Sequence, residues 1–240
     1  MTNSNAEPTA DRSRFWRHHA LWPGLTFLVA VVAFELSDLD LRVAARFFDR
    51  ERGVWTWGDS WWANDLIHRR GRDLIAAIGI LAIGGWAASF FVARARRLRR
   101  PGAFVALTII LGTGLVAVLK KTTNVDCPWD MQPFGGDRPY VRVFEDRPDD
   151  LPRGGCFPGG HSSGGFSLLS FYFLFDQRGR GRRMAALALA LLTGLVFSFG
   201  QWVRGAHFPS HDAWSVAICW FVALFLYTGP FRFRILEQPS

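Results

Sequence analysis

Four uncharged apolar runs mark the chain, at Leu74–Ala93, Pro101–Leu119, Met184–Val203 and Ala213–Phe231. Each holds about twenty residues, enough for a helix to cross a hydrocarbon core of roughly 30 Å. Two shorter runs, Ala20–Phe34 and Ser162–Phe175, cross only if Glu35 and His161 lie at the membrane surface. The pattern predicts an all-α polytopic membrane protein: six transmembrane helices with a helical-bundle core, occupying residues 20–231, and an interfacial outer segment. A soluble fold with buried core helices is the disfavoured alternative, because six such runs in 240 residues leave almost no surface for water. Residues 1–19 are polar and read as a disordered cytoplasmic tail, residues 232–240 as a second cytoplasmic tail. No cleavable signal peptide is expected, since arginines precede the first run and no small-residue cleavage site follows it.

Charge adds orientation. The loops RARRLRR (Arg94–Arg100) and RGRGRR (Arg178–Arg183) are short, basic and free of acids, as cytoplasmic loops are. Both termini then lie inside, in a bacterial-type inner membrane. The net charge of +8 reflects membrane orientation, and no nucleic-acid partner is expected because no basic face on a soluble domain is visible. The acidic residues fall mostly in two outer segments. One of them, Asp38–Asp73, contains WTWGDSWW, an aromatic-rich stretch suited to the headgroup level.

The outer ends of three spans carry the candidate chemistry. Lys120 and Lys121, the chain's only lysines among 28 basic residues, close the run before TTNVDCPWD. Gly159, Gly160, His161 and Ser162 open the next in PGGHSS, where free N–H groups and the positive helix end favour an anion. The fifth run ends in GQWVRGAHFPSHD, which brings Arg204, His207, His211 and Asp212 to the same level. Cations, amides, histidines and a carboxylate together suit a phosphate. Phosphoryl transfer needs a nucleophile, a proton donor for the leaving oxygen and cations on the equatorial oxygens. His207 is the expected nucleophile, with Asp212 fixing its tautomer, and His161 is the expected acid. Lys120, Arg204 and the Gly159 and Gly160 amides are expected to hold the phosphate, with Ser162 and Lys121 beside them. No metal or other cofactor is expected. A cation on His161, His207, His211 and Cys127 is the alternative, disfavoured by the adjacent Lys and Arg.

These stretches resemble the three signature motifs of the type 2 phosphatidic acid phosphatase superfamily, integral-membrane lipid phosphatases with a core like that of vanadium haloperoxidases. The first motif is Lys, six residues, then Arg-Pro; here Lys120 is followed at that spacing by Cys127-Pro128. The second, Pro-Ser-Gly-His, reads Pro158-Gly159-Gly160-His161. The third is Ser-Arg, five residues, His, three residues, Asp; counted from His207, Gly200-Gln201 stand at Ser-Arg and His211 at Asp. Arg204 lies three residues after Gln201 and can replace the missing arginine, Asp212 comes one residue late, and Lys121, Arg138 or Arg142 can compensate for Cys127.

The resemblance implies hydrolysis of a lipid phosphomonoester or pyrophosphate at the outer face, through a phosphohistidine. Its substrates would be phosphatidic acid, phosphatidylglycerol phosphate, undecaprenyl pyrophosphate or lipid A, with membrane lipids as surroundings and protein partners unspecified. A lipid-to-lipid phosphotransferase and a noncatalytic lipid-binding relative are the alternatives. In an oxidising outer compartment, Cys127 and Cys156 are expected to form a disulfide, while Cys219 lies in the membrane.

Overall fold

The computed structural model describes residues 7–236 and is mainly helical. Helix α1 spans 7–35, built from Glu7–Trp16, a π-helical turn at Arg17–Leu21 and Trp22–Glu35. A short α2 (Leu39–Ala44) and a two-stranded hairpin follow; β1 (Phe48–Asp49) pairs antiparallel with β2 (Val54–Trp55). Then come α3 (Trp62–Phe91), α4 (Ala93–Thr122), α5 (160–174), α6 (Arg180–Trp202) and α7 (Pro209–Thr228).

By length and apolarity, α3, α4, α6 and α7 can cross a membrane: four helices among the described residues, where six were expected. Each extends past its apolar run, because charged residues at the interface continue the helix. Thus α3 starts at Trp62, twelve residues before the run that predicted it.

The two shorter elements fall below that criterion for different reasons. The apolar part of α1, Trp22–Glu35, has 14 residues and buries none of them. Helix α5 sits in the middle, packed on α4, α6 and α7. Its Ser162, Ser163 and Ser167 are fully buried, and Ser163 and Ser167 return their hydroxyls to carbonyls of their own helix at 2.6 Å. A helix sheathed by neighbours has no need of lipid-facing apolar residues, and small side chains let those neighbours approach.

The N-terminal segment was expected to be disordered, and its described part is not. Residues 7–19 are helical, and His19 is buried, bonding the Tyr172 hydroxyl at 2.8 Å and the Phe15 carbonyl. At the other end Phe231 and Ile235 are buried against the core. Residues 1–6 and 237–240 lie outside the described residues.

The loop 123–159 is held in place by buried polar contacts. Asp126, nearly inaccessible, accepts from Arg138 and from Arg147 (Nε–Oδ2 2.8 Å). Asn124 Oδ1 accepts from Gly154 N–H at 2.9 Å, and Val125 O from Cys156 N–H at 2.9 Å. Cys127 and Cys156 are joined as a disulfide with Cα atoms 5.2 Å apart. The loop is therefore held in one conformation by its own contacts.

Candidate active site

The segment between α6 and α7 sets up the central histidines. Helix α6 stops at Trp202, and Gly205 takes a left-handed φ of +71°, which lets Ala206 N–H return to Gln201 O at 2.9 Å. A side chain there would also strike the Trp55 ring from the hairpin. The chain then extends through His207 and Phe208, and Pro209 opens α7 with its preset φ. Asp40, from α2, caps that helix by accepting from Ser210 N–H at 3.0 Å. Without its own sequence neighbours to signal it, this distant cap is invisible in the motif.

His207 is buried, and its Nδ1 lies 3.3 Å from Nδ1 of His211. The Cys156 carbonyl lies beside both imidazoles. His211 thus engages Nδ1 of His207. Burial, reinforced by the nearby Lys120 ammonium and then by His211, holds the His207 imidazole well below its ordinary value, so it is neutral at pH 7.

Asp212 does not fix His207, contrary to expectation. Its carboxylate turns toward the start of α5, accepting from Ser162 Oγ at 2.5 Å and from Trp202 Nε1 at 2.6 Å. The reason is helical: residues successive on a helix point about 100° apart, so His211 and Asp212 cannot face the same ring. His211, at the motif's carboxylate place, occupies that position instead.

The Asp212 contact also accounts for Gly159. A Cβ there would lie 2.1 Å from Asp212 Oδ1 and 2.6 Å from Ser162 Oγ. The motif's serine has no room because the displaced carboxylate fills its space. Two further expectations change with it. Gly159 N–H is already donated to His211 O at 3.1 Å, and Ser162 Oγ is already committed, so neither is available to a phosphate. Gly160 remains, with its Cα open toward Lys120: a Cβ there would sit 3.7 Å from Nζ.

The second histidine stands among cations. His161 Nε2 lies 3.1 Å from Ile67 O, which can only accept, so that nitrogen carries the proton and Nδ1 is free. The ring stacks on Phe197 with centroids 4.5 Å apart and lies 4.6 Å from the ring of His68. His68 accepts from Gln201 Nε2 at 3.0 Å, and Gln201 Oε1 accepts from Arg204 at 3.3 Å. Arg204, Arg72 and His68 are electrostatic neighbours of His161, and Lys120 and His161 are neighbours of His207.

Lys120, Gly160, His161, Arg204, His207 and His211 thus converge at one end of the bundle. Lys121 is exposed on the next position round α4. Arg138 and Arg142 do not compensate for Cys127: the first pairs with Asp126 and the second with Glu145 at 2.9 Å and Asp38 at 3.1 Å. The four-residue metal set is not assembled either, since Cys127 is in the disulfide; among the described residues no group of three or more His, Cys, Asp or Glu side chains is arranged to hold a metal. His68 was missed by sequence reasoning. The available signal was a lone histidine ahead of a basic pair, in a segment read as interfacial.

A helical bundle that gathers histidines and a lysine at one end is the setting in which the family comparison falls. The model of the PAP2 superfamily matches residues 101–235, more than half of the chain, and the protein belongs to that superfamily. Its members are generally phosphatases and often act on lipid phosphates. No curated protein and no solved structure matches the chain.

Proposed function

We propose that the protein is a membrane lipid phosphatase that hydrolyses a lipid phosphomonoester or pyrophosphate through a phosphohistidine on His207. The observation that carries this reading is the convergence of a neutral, buried His207 with Nδ1 engaged by His211, a second histidine and Lys120 at one bundle end. The bound phosphate monoester enters as its monoanion and passes its acidic proton to His161 Nδ1; His207 Nε2 then attacks phosphorus, and the bond to the leaving oxygen breaks as that oxygen takes this proton from His161 Nδ1. Water, deprotonated by the same nitrogen, then attacks the phosphohistidine, releasing phosphate and restoring His207. Lys120, Arg204 and the Gly160 amide neutralise the equatorial oxygens. His211 and the Cys156 carbonyl hold the His207 tautomer, while Asp212 positions the start of α5 without touching substrate.

The surrounding reading is a bacterial-type inner membrane, six crossings with both termini cytoplasmic, α1 and α5 among them, and the site on the outer face. No metal is required in this mechanism. Purified protein offered a panel of lipid phosphates and pyrophosphates should release inorganic phosphate, undiminished by EDTA. No release from any of them, with the protein folded, would leave the noncatalytic reading; phosphate passing only to a second lipid would make it a phosphotransferase.

A further inference from the structure

A groove of about 1130 Å³ runs between α1, α5, α6 and α7, from the Arg180 end of the bundle to Ala213. Its walls are apolar, with Phe27, Leu187 and Val216 along them, and they belong to helix segments that face the bilayer. Helix α1 packs on α7 there, yet its apolar segment buries no residue, so the space between it and α6 is left open. A bilayer-facing apolar groove of this size is in the range that takes lipid chains rather than water.

One end of the groove is basic. Arg14, Arg180 and Arg183 line it. Arg183 is neutralised by Asp176 at 2.5 Å, and Asp176 also accepts from Tyr227 at 2.6 Å. Three arginines thus share the mouth with one lining carboxylate, Asp176, which leaves it net positive. Helix α6 runs for 23 residues from Arg180 to Trp202. At 1.5 Å per residue, the mouth lies about 34 Å from the end that bears His207, roughly a full hydrocarbon thickness away.

We propose that this groove is a binding site for an anionic glycerophospholipid of the leaflet opposite the active site. Its acyl chains lie along Phe27, Leu187 and Val216, and its headgroup rests on Arg14 and Arg180. The site is separate from the phosphatase centre and stands whether or not the chain hydrolyses lipid phosphates. Lipid there fills the gap that α1 leaves and ties α1 to the core.

The test is native mass spectrometry of the full chain, released from detergent after titration with phosphatidylglycerol or phosphatidylcholine. The wild type should bind phosphatidylglycerol more tightly. Each arginine near a membrane surface contributes roughly a factor of five toward an anionic headgroup, so Arg14→Gln with Arg180→Gln should lower phosphatidylglycerol affinity about thirtyfold and erase the preference. Thr26→Trp, which fills the groove from its exposed side, should reduce adducts of both lipids while the protein stays monodisperse and helical. Equal binding of the two lipids by the wild type would overturn the proposal, as would a preference that survives the double substitution. Adducts unchanged in Thr26→Trp while a wild-type dimer becomes monomeric would also overturn it, by assigning the groove to a second copy.

Discussion

Restoring the family's own serine should damage this protein. Gly159→Ser places a Cβ 2.1 Å from Asp212 Oδ1, 2.6 Å from Ser162 Oγ and 3.2 Å from Asp212 Cγ. None of these is the far end of a flexible chain, because Ser162 and Trp202 both grip the carboxylate, at 2.5 and 2.6 Å. Relief requires either a backbone shift at the start of α5 or expulsion of a buried carboxylate from its donors. Overpacking costs about 1–3 kcal/mol. A lost hydrogen bond to a charged group adds roughly 1.5–3 kcal/mol. A total near 3 kcal/mol lowers Tm by roughly 6–12 °C for a chain of this size. The shift also moves Gly160 and His161, so turnover should fall by more than the folded fraction does. The assay is thermal unfolding in detergent with turnover on a lipid phosphate, repeated for Asp212→Ala and the double variant. Asp212→Ala vacates the space, so the pair should be less damaging than the sum of the singles, with a coupling of about 1–3 kcal/mol. Gly160→Ala, whose Cβ meets Lys120 Nζ only at 3.7 Å, should keep its Tm. A Gly159→Ser protein as stable as wild type, or strict additivity with Asp212→Ala, would refute the reasoning.

Arg204→Ala should lower kcat by about a hundredfold if it supplies the displaced phosphate contact. Gln201→Ala and His68→Ala should each reduce turnover more mildly, since Gln201 bridges the two at 3.3 and 3.0 Å; equal mild losses from all three would undo the role given to Arg204. Burial pushes the Asp40 carboxyl from its ordinary 3.8 up to about 6, so the native state binds more protons across that window and stability falls as pH rises through it. Asp40→Asn should therefore abolish that slope and raise Tm at pH 7, still accepting from Ser210 N–H; unchanged pH dependence of unfolding would contradict it. His207 is held below 6.5, so the acid limb of kcat/KM should have its midpoint below that value, with activity lost as pH falls through it; a midpoint above 6.5 would contradict a neutral, buried nucleophile.

The four long helices were legible because apolar runs of membrane length have no other stable use. Their ends were not, since charged residues such as Arg69 and Arg70 continue α3 at the interface as readily as they would begin a loop. That misreading hid His68, which reaches the site only because α3 starts at Trp62. The span assigned to Ser162–Phe175 was only partly legible: α5 is sheltered by other helices, so its composition carries Ser and Gly where lipid contact would demand Leu and Ile. At the site, residue identity was readable and direction was not. Spacing brought Lys120, His161, Arg204 and His207 to one end, but the turn from His211 to Asp212 decides which of them meets His207, and the reciprocal loss of the serine at Gly159 appears only once both helices are packed.

The central claim, that phosphorus is transferred to His207, is tested most directly by trapping labelled phosphate on the protein during turnover. Wild type and His161→Ala, the latter supplied with an activated aryl phosphate whose leaving group needs no proton, should both carry acid-labile, base-stable label. His207→Ala should carry none and should be inactive toward aryl and lipid substrates alike. Label on folded His207→Ala protein would contradict the account and move the nucleophile to His211, whose Nδ1 lies 3.3 Å away.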